Sequence, residues 1–183
     1  HARDVPLPAS AGGYRTGVDV VQVSRRRTLG RDTAAGAAVG IALALFFCSA
    51  AALFGMDRER VFYPAVLIAV ASYYVAFAVG DGRTEVLLSE FAIAVLFMGL
   101  AVTGFRRNVW LAVSGLAGHG VMDSFHHALV QNNGVPLAWP GFCMTFDLTA
   151  ALLVACILVF RSSARFSRRE LVLVRFLVRL MQS

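Results

Sequence analysis

The sequence predicts an all-α integral membrane bundle of five transmembrane helices, with a basic N-terminal arm and an amphipathic C-terminal helix. Three observations carry this. Hydrophobic residues make up 58% of the 183 residues, and the mean hydropathy of +0.68 leaves little that could coat a water-soluble domain. Five apolar stretches each approach the ~20 residues a helix needs to cross a bilayer. Short polar links separate them, which forces neighbouring helices to run antiparallel. One helical domain over residues 33–160 accounts for all five, with an arm over 1–32 and a surface segment over 161–183.

Residues 1–32 contain Pro6, Pro8, the Gly12-Gly13 pair and Arg25 to Arg27 but no apolar run, so they read as a flexible basic arm without a signal peptide. The spans follow at about Thr33 to Met56, Val61 to Gly80, Val86 to Phe105, Val109 to Val130 and Phe142 to Phe160, and the first two carry no charge. Length is the criterion here, because periodicity does not separate a spanning helix from a buried one. The links are Asp57 to Arg60, Asp81 to Glu85, Arg106 to Asn108 and Gln131 to Pro140. The last holds Asn133-Gly134 and two prolines, a turn mixture at headgroup level, with Trp139 suited to the aromatic belt. Beyond residue 160, the stretch Arg168 to Ser183 has an apolar run too short to span, broken by Arg175 and Arg179 one turn apart, and reads as an interfacial helix.

The net charge of +6 comes entirely from arginine, since the chain has no lysine. These arginines sit in links and tails beside the bilayer, so membrane lipids with anionic headgroups are the expected partner and nucleic acid is not. Five spans place the termini on opposite sides, and the arginines nearest the spans favour a cytoplasmic C-terminus in a multi-pass protein of the cell membrane. Cys48, Cys143 and Cys156 show no CxxC spacing, which supports neither a disulfide framework nor a zinc ribbon, and two of them read as packing residues. No phosphate-cradling glycine loop is present, so no organic cofactor is indicated.

Polar residues inside the spans are costly, and here they are not scattered. With ~1.5 Å of rise per residue and alternating helix direction, Glu90 in the third span, Asp123, His126 and His127 in the fourth and Asp147 in the fifth reach one layer near the N-terminal side. His119 lies deeper. At ~100° per residue on a continuous helix, His119, Asp123, His126 and His127 fall within about 100° of one another. Cys143 and Asp147 share a face with Ala150 and Val154, and Glu90 shares one with Ala94 and Phe97. Gly36 and Gly40 in the first span, and Gly115 and Gly118 in the fourth, allow close helix approach.

Imidazoles with carboxylates are the ligand set of a zinc, iron or manganese site, for which His119, Asp123, His126 and His127 are the candidate ligands. A metal would lower the pKa of a bound water and supply a nucleophile or base to a lipid-soluble substrate, with Glu90, Asp123 and Asp147 as the candidate catalytic carboxylates. Two alternatives use the same residues. One is a proton relay or small-ligand site in a transport protein; the other is a structural hydrogen-bond network worth roughly 0.6 kcal/mol per contact. An almost wholly apolar half beyond His119 counts against ion conduction by a monomer, though not by a homo-oligomer.

The string Gly118-His119-Gly120, Asp123, His126-His127, Asn133-Gly134-Val135-Pro136, Trp139-Pro140, Phe142-Cys143 and Asp147 resembles a small bacterial integral-membrane family, domain of unknown function 6010. Position 138 is Ala where a second tryptophan is expected. The resemblance covers the second to fifth spans, implies a bacterial membrane location and implies no activity.

Overall fold

A computed structural model describes the backbone of residues 17–181 and the side chains of residues 31–163. The described chain is all-helical, with no strand among these residues. Six helices follow in order: α1 (Gly17–Leu53), α2 (Phe62–Asp81), α3 (Thr84–Arg106), α4 (Val109–Asp123), α5 (His126–Leu129) and α6 (Trp139–Met181). Helical geometry thus reaches back to Gly17, well before the apolar run begins, and continues through the C-terminal segment to Met181. Residues 1–16 of the expected arm lie outside the described residues. The interfacial placement expected of the C-terminal segment rests on side chains that also lie outside them.

Four helices are long and apolar enough to cross a membrane: Arg31–Leu53, Phe62–Asp81, Thr84–Arg106 and Trp139–Ser163. The fourth expected span is the correction. Its helix stops at Asp123, so α4 measures roughly 22 Å against a hydrocarbon core of ~30 Å. The ladder tightens at the stop, where Ser124 N–H bonds Val121 O at 3.1 Å and Phe125 N–H bonds Met122 O at 2.9 Å. All five residues from Asp123 to His127 belong to the poorer helix formers, and nothing local opposes the break. The Ser124 hydroxyl then fastens it to α6 through Met144 Sδ at 3.2 Å.

Apolar burial and small residues set the packing. Leu67, Val70 and Ala71 of α2, Phe97 and Ala101 of α3, Val113 and Leu116 of α4, and Cys143, Ala151 and Val154 of α6 form one core. Gly36 faces Ala138, and Gly40 faces Phe142 and Thr145, so α1 lies directly on α6. Further along, Ala44 and Cys48 meet Ala150, so the two helices run parallel. Gly120 brings α4 against α6, where an added Cβ would sit 3.0 Å from Met144 O and 3.1 Å from Asp147 Cβ. Gly118 has only Phe97, at 3.8 Å, and packs loosely.

The outer faces are apolar where a soluble protein would be polar. Phe46, Phe54, Leu96, Leu152 and Phe160 are each more than 60% exposed, which suits lipid as solvent. Polar contacts close the two ends. At one end Asp57, buried after α1, takes a hydrogen bond from Arg161 Nη2 at 2.5 Å, and Arg60 donates to Arg107 O at 3.1 Å. At the other, Gly82 adopts φ 80°, a left-handed turn that ends α2 and that a side chain would strain. Beside it Arg83 forks onto Asp81 at 2.6 and 2.9 Å and also donates to Gln131 O. That paired contact raises the Arg83 pKa above its ordinary value.

Candidate metal centre

Two helices build the centre. On α6, Cys143 and Asp147 are four residues apart and project from one face; on α4, His119 and Asp123 do the same. Gly120 removes the side chain that would hold these faces apart. The result is a buried group of His119, Asp123, Cys143 and Asp147 whose ligand atoms lie within 4.8 Å of one another, the donor set of a metal site. Each of the four is at most 2% exposed.

The contacts within the group are few. His119 Nδ1 is 2.6 Å from Asp147 Oδ2 and 3.6 Å from Asp123 Oδ2, while Cys143 Sγ is 4.0 Å from Asp147 Oδ2. Phe97 stands edge-on to the His119 ring at 4.9 Å. His119 Nε2, both oxygens of Asp123 and Asp147 Oδ1 are buried without a hydrogen-bond partner. Such atoms cost about 1–3 kcal/mol each, and more if charged. If both carboxylates are ionised, the group carries a net negative charge in a low-dielectric layer, which a divalent cation would neutralise. The 2.6 Å separation is that of a hydrogen bond; neighbouring ligand atoms on a tetrahedral zinc, at ~2.0 Å from the metal, lie roughly 3.3 Å apart. A metal between His119 Nδ1 and Asp147 would therefore need that pair to open, whereas one at the unpartnered Nε2 would leave the pair as it is.

The other candidate residues fall elsewhere. Glu90 and His126 form a second buried pair, His126 Nε2 to Glu90 Oε1 at 2.9 Å. Asn132 completes it, with Nδ2 donating to Glu90 Oε1 at 2.9 Å and to Tyr74 O at 3.3 Å. Tyr74 separates the two groups. Its ring stacks on His126 at 4.0 Å, and its buried hydroxyl faces Asp123 without forming a well-aligned hydrogen bond. Glu90 Oε2 and His126 Nδ1 are likewise buried and unpartnered. His127 is exposed and stands outside both groups, with its ring 6.0 Å from that of His126.

Of the six candidates, the structure brings His119, Asp123 and Asp147 together, sets Glu90 with His126, and leaves His127 apart. It adds Cys143, which the sequence places on one face with Asp147 but does not single out as a ligand, and Asn132, which reads there as part of a turn. The available signal for Cys143 was its i,i+4 spacing to Asp147; for Asn132 there was none. No family model, curated protein or solved structure matches the chain.

Proposed function

We propose that the protein is a metal-dependent enzyme working within the membrane on a lipid-soluble substrate. The observation that carries this is the convergence of four buried donors from α4 and α6, with four of their polar atoms left without partners. The negative end of the α4 macrodipole falls at Asp123, the last residue of that helix, and favours a cation there. With a thiol and an imidazole among the donors, zinc or iron suits the group better than magnesium, calcium or manganese. Bound there, the ion would polarise a carbonyl or lower the pKa of a water towards neutrality. His119, Cys143 and Asp147 hold it, and Asp123 completes the set. Glu90 with His126 forms a nearby pair able to hold or pass a proton. Their tie to Asn132 fixes its orientation.

The same proposal gives the bundle five crossings, with α4 and α5 together making the fourth and the C-terminus cytoplasmic. Support comes from the parallel course of α1 and α6, which needs an odd number of returns between them, and from the arginine bias. The motif likeness to domain of unknown function 6010 supports assigning the chain to that bacterial family.

Elemental analysis of the detergent-purified protein tests the metal. The expected result is near-stoichiometric zinc or iron, absent from an Asp123→Ala, Asp147→Ala double variant; no metal in either protein would sink the proposal. One observation favours a second reading, proton-linked transport. Both histidines are hydrogen-bonded to carboxylates, His119 to Asp147 and His126 to Glu90, as in a relay. Under that reading Glu90→Gln shifts the pH dependence of proton flux into vesicles, and a protein that carries no flux argues against it.

A further inference from the structure

A groove of about 230 Å³ opens on the lipid-facing side between α1, α2 and α6. Phe47, Val66, Tyr73, Trp139 and Phe142 line it, and its innermost wall is Cys143, which is 1% exposed and belongs to the metal group. Trp139 is packed in place by Tyr73 at 5.0 Å, Phe77 at 4.9 Å and Phe142 at 5.2 Å. Its indole Nε1 is buried and has no acceptor.

We infer that this groove is the lateral port of the centre and seats one acyl chain of a membrane lipid. Three features select that occupant. No charged residue lines the groove, so a phosphate or a water-soluble ligand finds no partner there. A helix of a second copy, ~10 Å across with its side chains, is too wide for this volume, whereas a hydrocarbon chain is not. The surrounding solvent is lipid, and Trp139 stands at the first turn of α6, at the headgroup end of the groove. Cys143 follows Trp139 by one helical turn, ~6 Å deeper, so the first carbons of the chain rest beside the metal group and its far end does not. The substrate class is thus a lipid with an acyl chain. As a substrate port the groove rests on the metal reading above; as a lipid seat it stands independently.

The test places the full chain in phosphatidylcholine vesicles doped with the same lipid carrying a diazirine near the acyl carbonyl, followed by illumination and mapping of the labelled residues. Label is expected to concentrate on residues 66–73 and 139–146. Ala69 also lines the groove, on the lipid-exposed side of α2. Ala69→Phe fills the groove from there without touching a ligand, and should cut the label about tenfold with metal content unchanged. Phe47→Ala widens the opposite wall and should raise it. Label spread evenly around the apolar belt, label indifferent to Ala69→Phe, or a cross-linked dimer in place of the lipid adduct would each overturn the inference. Concentrated label on a protein without metal would leave the groove standing and fail the metal reading; metal with evenly spread label would do the reverse.

Discussion

At the scale of single residues, Cys143 is the side chain with two neighbourhoods, the metal group on one side and the groove on the other. With cobalt in the site, the protein should show a thiolate-to-metal charge-transfer band that Cys143→Ser abolishes. The same change should weaken metal binding by more than the roughly 10–100-fold that follows loss of an outer-shell partner. The two adjacent histidines should behave differently. His126→Phe keeps a ring over Tyr74 but leaves buried Glu90 with Asn132 as its remaining partner, so stability in detergent should fall by about 1–3 kcal/mol while the metal stays. His127→Ala, at an exposed position, should change stability by less than about 0.5 kcal/mol. A common effect of both on metal content would mean that they ligate together after all. Depth along a helix was legible in the sequence, because rise per residue is fixed. The grouping of His126 and His127 with His119 was not, since it assumed one unbroken helix.

At the scale of elements, glycines decide which helices meet. Gly120→Ala places a methyl against Met144 O and Asp147 Cβ and should cost about 1–3 kcal/mol, with metal content falling because α4 and α6 carry the donors. Gly40→Ala drives a methyl into Phe142 O and Thr145 Oγ1, a harder clash than at Gly120, and should cost more while sparing the metal, since α1 supplies no donor. Thermal unfolding in detergent beside elemental analysis separates the two outcomes. The apolar stretches and their links were readable from the sequence because length and hydropathy are properties of the chain itself. The stop after Asp123 was not, since an average over apolar residues is blind to whether Ser124 N–H bonds three or four residues back. Cys143 was passed over for a related reason. Cysteine is among the residues most often buried for packing alone, and only the partner helix reveals a second role.

At the scale of the whole molecule, the question is how often the chain crosses. Five crossings put the link at 107–108 and the link at 131–138 on opposite faces; four crossings put them on one. Single cysteines at Arg107 and Leu137, in a Cys156→Ser background, should therefore label with a membrane-impermeant maleimide from opposite sides of sealed vesicles. Labelling of both from one side would remove the fifth crossing and, with it, the argument for termini on different faces. The ends of the bundle bear on the same point. Arg83 reaches Gln131 O at one end, while Arg161 and Arg60 close contacts at the other, so each end is held by arginine and neither depends on a lysine that could be acetylated.

The short α4 also sets a relation between the protein and the thickness of its bilayer. A helix some 8 Å shorter than the hydrocarbon core leaves the rest of the proposed crossing to the break at 124–125 and the single turn of α5, where thinning or water costs only a fraction of a kcal/mol per Å. Its end is Asp123, so the weakest point of that crossing is centred on the donor group. In short-chain lipid that group lies close to the aqueous phase and a chelator should strip it quickly; in long-chain lipid the same group is submerged, and release should slow as the acyl chains lengthen.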